Sequence, residues 1–247
     1  NLGMKAAIHE FIAFLDADDY YLPNRFAIPH RIFLENLSCD GAYEAIGMHV
    51  EDEVGLTRWQ EAGKPDGQLY TMNEIIPSQD LADALISGQH GGFHLDGFVI
   101  KKSLLKNSGL MSEKLRLHQD TEFMIRVAIV ADLQPGRLNE PVAVRRLHSK
   151  NRISAPKTIK DKLSQRFLMW TELYDWCKKY SFPDYQKKVM PIIVSNIISK
   201  KRFNKEIKGK ISRRIKSLKQ VCVALIKKPE LIIDQYFWSA LLNINHG

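Results

Sequence analysis

Phe11-Ile12-Ala13-Phe14-Leu15-Asp16-Ala17-Asp18-Asp19 is the stretch on which the reading of this chain turns. Five apolar residues in succession, several of them β-branched or aromatic, predict a short buried strand. Asp16, Asp18 and Asp19 crowd three carboxylates onto its C-terminal end. Like charges this close repel unless a cation or an equivalent partner sits among them. In open α/β sheets, ligands bind outside the carboxyl ends of strands. Mg2+ and Mn2+ take oxygen ligands and share them with substrate phosphates. These residues therefore read either as a divalent-metal and phosphate site or as a solvated acidic turn with helix caps.

Charge divides the chain. Residues 1–156 hold 16 Lys and Arg against 21 Asp and Glu, a net of −5, whereas residues 157–228 hold 20 against 5, a net of +15. An acidic part is thus joined to a strongly basic one, and each is read by itself. The cysteines, Cys39, Cys177 and Cys222, are too far apart for a metal motif or a disulfide framework, which suits a reducing compartment. No signal peptide opens the chain, and the longest apolar run, Val189–Ile198, is well short of the roughly 18 residues of a membrane span.

Around the acidic strand the pattern predicts α/β alternation. Helical spacing marks Phe26–Leu37, with Pro23 near its start, and Gly41–Val50 reads as a strand. Residues 51–68, with Gly55, Gly63, Pro65 and Gly67, read as an excursion or an irregular hairpin. Ser78 is the expected cap of a helix through Ile86. His94–Ile100 is expected as a strand, Asp120–Ala131 as an apolar-faced helix, and Val142–Val144 as a short strand leading to Arg145–Arg152.

His118-Gln119-Asp120-Thr121-Glu122 is a second polar cluster, just ahead of that apolar-faced helix. Asp120 is either a helix cap or dipole partner, or a general base able to take a proton from an attacking hydroxyl. His148 reads as a metal ligand, a phosphate contact or a surface histidine.

Taken in order, these blocks resemble the family 2 inverting glycosyltransferases of GT-A fold. Phe14-Leu15-Asp16-Ala17-Asp18-Asp19 with Leu22-Pro23 is similar to that family's DxD stretch. Asn1-Leu2-Gly3 with Ala6-Ala7 resembles its upstream loop and helix, with Ile8 where a polar residue is common. Gln119-Asp120-Thr121-Glu122-Phe123 with Arg126 is similar to the base-bearing segment, Gln119 standing for the usual Glu. Arg145–Arg152, centred on His148 and Asn151, resembles the closing segment.

The resemblance covers residues 1–153. It implies a partial GT-A fold in that domain, the metal and acceptor side, followed by a basic helical region over 154–247. It implies Asp18, Asp16 and His148 at a Mn2+ or Mg2+ ion, with Asp16 and Asp19 on the donor side. Asp120 would be the catalytic base, Gln119 an acceptor-side contact and Arg126 a brace for the base helix. It further implies a nucleotide-diphosphate sugar donor, a glycan or lipid-linked acceptor, and inverting transfer by a single displacement in polysaccharide or glycolipid synthesis. The family's N-terminal nucleotide-binding portion has no counterpart here, so upstream chain is expected and this chain alone is expected to be inactive. A non-catalytic remnant or membrane-associated scaffold is the first alternative, and a basic nucleic-acid-binding module a distant second.

In the basic region, Phe203, Ile207, Ile211, Ile215, Leu218 and Cys222 recur every three or four residues among lysines and arginines. Such a helix either lies on an anionic membrane surface or packs its stripe on protein. A cytoplasmic protein, peripheral on the inner face of the plasma membrane, is the expectation. Tyr236, Phe237, Trp238, Leu241 and Leu242 read as a second apolar anchor, and Trp170, Tyr174 and Cys177 as core. Without a recognisable reading motif among the lysines, no nucleic acid is expected as partner.

Overall fold

A computed structural model describes residues 1–61, 69, 71–72, 74–147, 159–199, 221–226 and 228–244. The chain forms two compact units: one of Asn1–Met111 with Phe123–Pro156, and one of Ser112–Glu122 with Lys157–Gly247. The mixed α/β class expected from the sequence is the one observed.

Among the described residues, the first unit has seven strands in two sheets. One sheet has the order β1 (Phe11–Ala13), β5 (Phe98–Lys101), β3 (Gly41–Tyr43), β6 (Leu133–Pro135). β1 and β3 both run antiparallel to β5, and β6 runs parallel to β3. The other sheet has the order β2 (Tyr20–Tyr21), β7 (Ala143–Leu147), β4 (Ile46–Val50). β2 is antiparallel to β7 and β4 parallel to it. α1 (Leu2–Ala6), α2 (Ala27–Glu35), α3 (Glu53–Glu61), α4 (Ser78–Ser87) and α5 (Leu105–Ser108) fall between strands, and α6 (Gln119–Val130) precedes β6.

The core is built on β5 and α6: Phe98, Ile100, Phe123, Ile125 and Tyr43 are fully buried or nearly so. Phe14 joins it, its ring 6.3 Å from Phe98 and 6.2 Å from Phe123. Burial of such rings is the main stabilising term, about 1.5–3 kcal/mol per large apolar side chain. α2 lies on the sheet through Phe33, packed with Cys39, Ala42 and Val99.

Several expectations are corrected. The Phe11–Leu15 strand is not buried along its length. β1 is three residues long and sits at the sheet edge with only Ile12 buried, while Phe11 and Leu15 are 39% and 46% exposed. Gly41–Val50 is two strands in two sheets. The chain changes sheets at Glu44 and Ala45, whose amides donate to the carbonyls of Gly97 (2.8 Å) and Arg137 (2.7 Å). Residues 53–61 are helical, because Asp52 caps α3 by accepting the Gly55 amide at 2.6 Å; residues 62–68 lie outside the described ones. Ser78 does not cap α4. Its hydroxyl accepts the Leu133 amide at 2.8 Å and donates to the Ala131 carbonyl at 3.3 Å, tying α4 to the start of β6. The strand expected from His94 begins only at Phe98, after a 3-10 turn over Leu95–Gly97.

In the second unit, α7 (Ile159–Lys179) and α8 (Pro183–Ser199) pack through Leu173, Tyr174 and Cys177 against Val189, Met190, Ile193 and Val194, all buried. Residues 221–226 form α9. α10 (Gln235–Ile244) inserts Phe237 into the same core, and Asp234 caps it by accepting the amides of Tyr236 (3.0 Å) and Phe237 (3.2 Å). Asp234 also receives the Tyr174 hydroxyl. Most of the basic amphipathic stretch, Phe203–Leu218, lies outside the described residues, as do His148 and Asn151. Among the described residues no helix is long and apolar enough to cross a membrane.

Candidate functional site

The carboxylates of Asp16, Asp19 and Asp96 lie within 4.8 Å of one another. Asp16 follows β1, and the Asp19 amide turns back onto the Asp16 carbonyl at 3.1 Å. Asp96 comes from the 3-10 turn ahead of β5, the partner strand of β1. Antiparallel pairing puts the end of β1 beside the start of β5, so Asp16 and Asp96 meet although 80 residues apart. The Asp16 amide donates to Asp96 Oδ1 at 3.0 Å. On the other side, the Arg146 amide at the end of β7 donates to Asp19 Oδ1 at 2.8 Å, and its guanidinium reaches the Asp18 carbonyl and Glu51 (3.1 Å).

The acids perturb one another. Burial, and then a hydrogen bond with Asp96, push Asp19 up to about 7. Burial, with Asp96 next in weight, raises Asp16 as well.

Beneath the turn lies a buried ion pair. Arg25 and Glu44 are 2.6 Å apart and nearly inaccessible, and Arg25 Nε donates to the Asp96 main-chain carbonyl at 3.0 Å. The guanidinium also lies over the Tyr21 and Phe26 rings, 5.5 and 5.3 Å from their centroids. Burial lowers Arg25 and raises Glu44. The pair anchors the turn that carries Asp96.

Of the residues expected at the site, Asp16 and Asp19 are brought together, while Asp18 stands outside their group with its carbonyl on Arg146. His148 lies outside the described residues. Asp120 is in the first turn of α6, partly buried, and one of its oxygens accepts the Thr121 amide at 2.7 Å. Gln119 Oε1 is buried without a hydrogen-bond partner. Arg126 is 3% exposed and holds the Gly109 loop, donating to the carbonyls of Ser108 and Leu110 (2.9 Å). Sequence reasoning missed Asp96, Arg25 and Glu44. A charged residue inside the apolar strand expected over His94–Ile100 was the available signal for Asp96.

All three clustered groups offer oxygen donors, a chemistry that fits a hard divalent cation such as Mg2+ or Mn2+.

No family model matches the chain. Over 151 residues, 61% of its length, it is 22% identical to a protein of Haemophilus influenzae described as an uncharacterized glycosyltransferase, of which it covers 46%. Among solved structures it is similar to S. aureus TarS 1-349, with a TM-score of 0.50 and 15% identity over 89% of this chain and 57% of that one. The same TarS portion in complex with UDP-GlcNAc matches with a TM-score of 0.45 and 14% identity, over 98% and 58%. The chain thus spans about half the length of the curated relative it matches, and it is similar in sequence to a glycosyltransferase and in fold to TarS.

Proposed function

We propose that the chain carries the metal and acceptor side of an inverting glycosyltransferase of GT-A type. It would move a sugar from a nucleotide-diphosphate donor to a hydroxyl of a glycan or lipid-linked acceptor. The observation that carries this is the gathering of carboxylates at the end of β1, in a chain similar to a glycosyltransferase. In this reading Asp16 and Asp18 face the cation and the donor, with His148 as a further contact, and Asp19 orders the loop through Arg146. The chemistry supplied by bound Mn2+ or Mg2+ is charge compensation on the departing diphosphate. Asp120 takes the proton of the acceptor hydroxyl as its oxygen attacks the anomeric carbon from the face opposite the leaving group. One displacement inverts that carbon, so the reaction uses no covalent nucleophile.

The test is Mn2+-dependent release of nucleoside diphosphate by the full protein across a panel of sugar nucleotides. Asp18→Ala and Asp120→Asn are each expected to lower turnover by about 10²–10⁴-fold. Turnover unchanged in both would sink the assignment of metal and base. No turnover with any donor and acceptor would favour a non-catalytic scaffold.

Peripheral membrane association is proposed for the second unit. It is supported by the exposed Ile226, Ile232, Ile233, Trp238 and Leu242 beside a region of net charge +15.

A further inference from the structure

At the opposite end of β1 from Asp16, the same antiparallel pairing gathers a different set of side chains. Glu10 precedes β1 and Lys102 follows β5, and the Lys102 amide donates to the Glu10 carbonyl at 2.7 Å. There α1 and α5 contribute walls to a cavity of about 630 Å³. Lys5, Lys102 and Lys106 line it, with Glu10 the only acid among the described lining residues. Lys102 donates to the Ala7 carbonyl, and neither Lys5, Lys106 nor Glu10 has an ion pair among the described residues. Three ammonium groups thus converge on one cavity, within a stretch, residues 1–156, whose net charge is −5. Like charges gathered without counter-charge repel one another and draw an anion into the space between them. The rest of the lining is apolar and includes Met4, Leu105 and Ile8, the last of them 86% exposed. A free phosphate would answer the lysines and leave that wall wet, whereas a chain of methylenes covers it.

We propose that this cavity binds the phosphate head of a lipid. Lys5, Lys102 and Lys106 take the head, and the first carbons of the chain lie along Met4, Ile8 and Leu105. The volume suits such a ligand, since pockets for small molecules run from about 300 to 1,000 Å³. The site goes beyond the transferase reading and does not depend on it, because no member of the acid cluster takes part. It uses no residue of the second unit either.

The probe is dodecyl phosphate below its micelle concentration, titrated calorimetrically into the full protein beside inorganic phosphate and dodecyl maltoside. Dodecyl phosphate is expected to bind at least about tenfold tighter than either, because only it carries both charge and chain. Lys5→Gln combined with Lys106→Gln is expected to weaken it by about tenfold or more, at roughly fivefold for each lysine. Both lysines are exposed and make no ion pair, so the fold survives the change, which circular dichroism checks. Unchanged affinity in that variant overturns the site, the result that binding elsewhere on the protein would give. Equal affinity for inorganic phosphate overturns the lipid in favour of a bare anion site. Equal affinity for dodecyl maltoside overturns the role of the lysines. No binding of dodecyl phosphate by the wild-type protein overturns the proposal outright.

Discussion

At the scale of single residues, acids crowded together at the end of β1 set the pH response. Asp19, pushed up to about 7 by burial and its bond to Asp96, binds a proton in the folded state that the unfolded chain has released above pH 4. Between about pH 4 and 7 the folded state therefore holds more protons than the unfolded one, and stability falls as pH rises through that window. Because Asp19 is partly solvated, the loss is expected to be about 1–2 kcal/mol, well below full linkage. Urea unfolding of the metal-free protein at pH 5 and 7.5 measures it, and Asp19→Asn should flatten the slope. Arg25 makes the opposite case of a charge that is well paired. Arg25→Ala leaves Glu44 buried without its closest cation and is expected to destabilise by about 3–5 kcal/mol, read from the urea midpoint.

Among the elements, the turn joining α4 to β5 matters most. Gly97 follows Asp96, and a Cβ there would run into the Glu44 main-chain carbonyl, which accepts no displacement without moving the β3–β4 junction. Gly97→Ala is expected to cost at least about 2 kcal/mol, read from the urea midpoint. A variant with wild-type stability would refute the tight packing. β1 shows why the acidic stretch is legible only in part. Its apolar letters announce extended chain, and Asp16 falls at its end as read. Edge or centre is not a property of those letters, since it depends on β5, whose partner residues lie near position 100. The helix over 53–61 was missed for a local reason: Asp52 supplies the cap, but Gly55, Gly63, Pro65 and Gly67 outweighed it in the reading.

For the whole molecule, the charge division seen in the sequence runs alongside a division into two compact units, each with its own core. The second unit's exposed Ile232, Ile233 and Trp238 and its lysine-rich stretch predict cosedimentation with vesicles containing anionic lipid, and none with neutral ones. Raising salt to 0.5 M should release a large share, because surface attraction is screened within a few ångströms at that strength. Equal binding to neutral vesicles would refute the electrostatic part.

By itself the sequence determined the α/β class, the polar clusters and their order, and the helical, basic character of the C-terminal region. These follow from periodicity and residue type, which act over a few positions. Asp16 and Asp19 were legible because three acids after an apolar run are unusual at any location. Only the tertiary structure decided that Asp96 joins them and that Arg25 and Glu44 hold the turn below. Those depend on antiparallel pairing across some 80 residues and on burial that cancels hydration, and neither is encoded in local spacing.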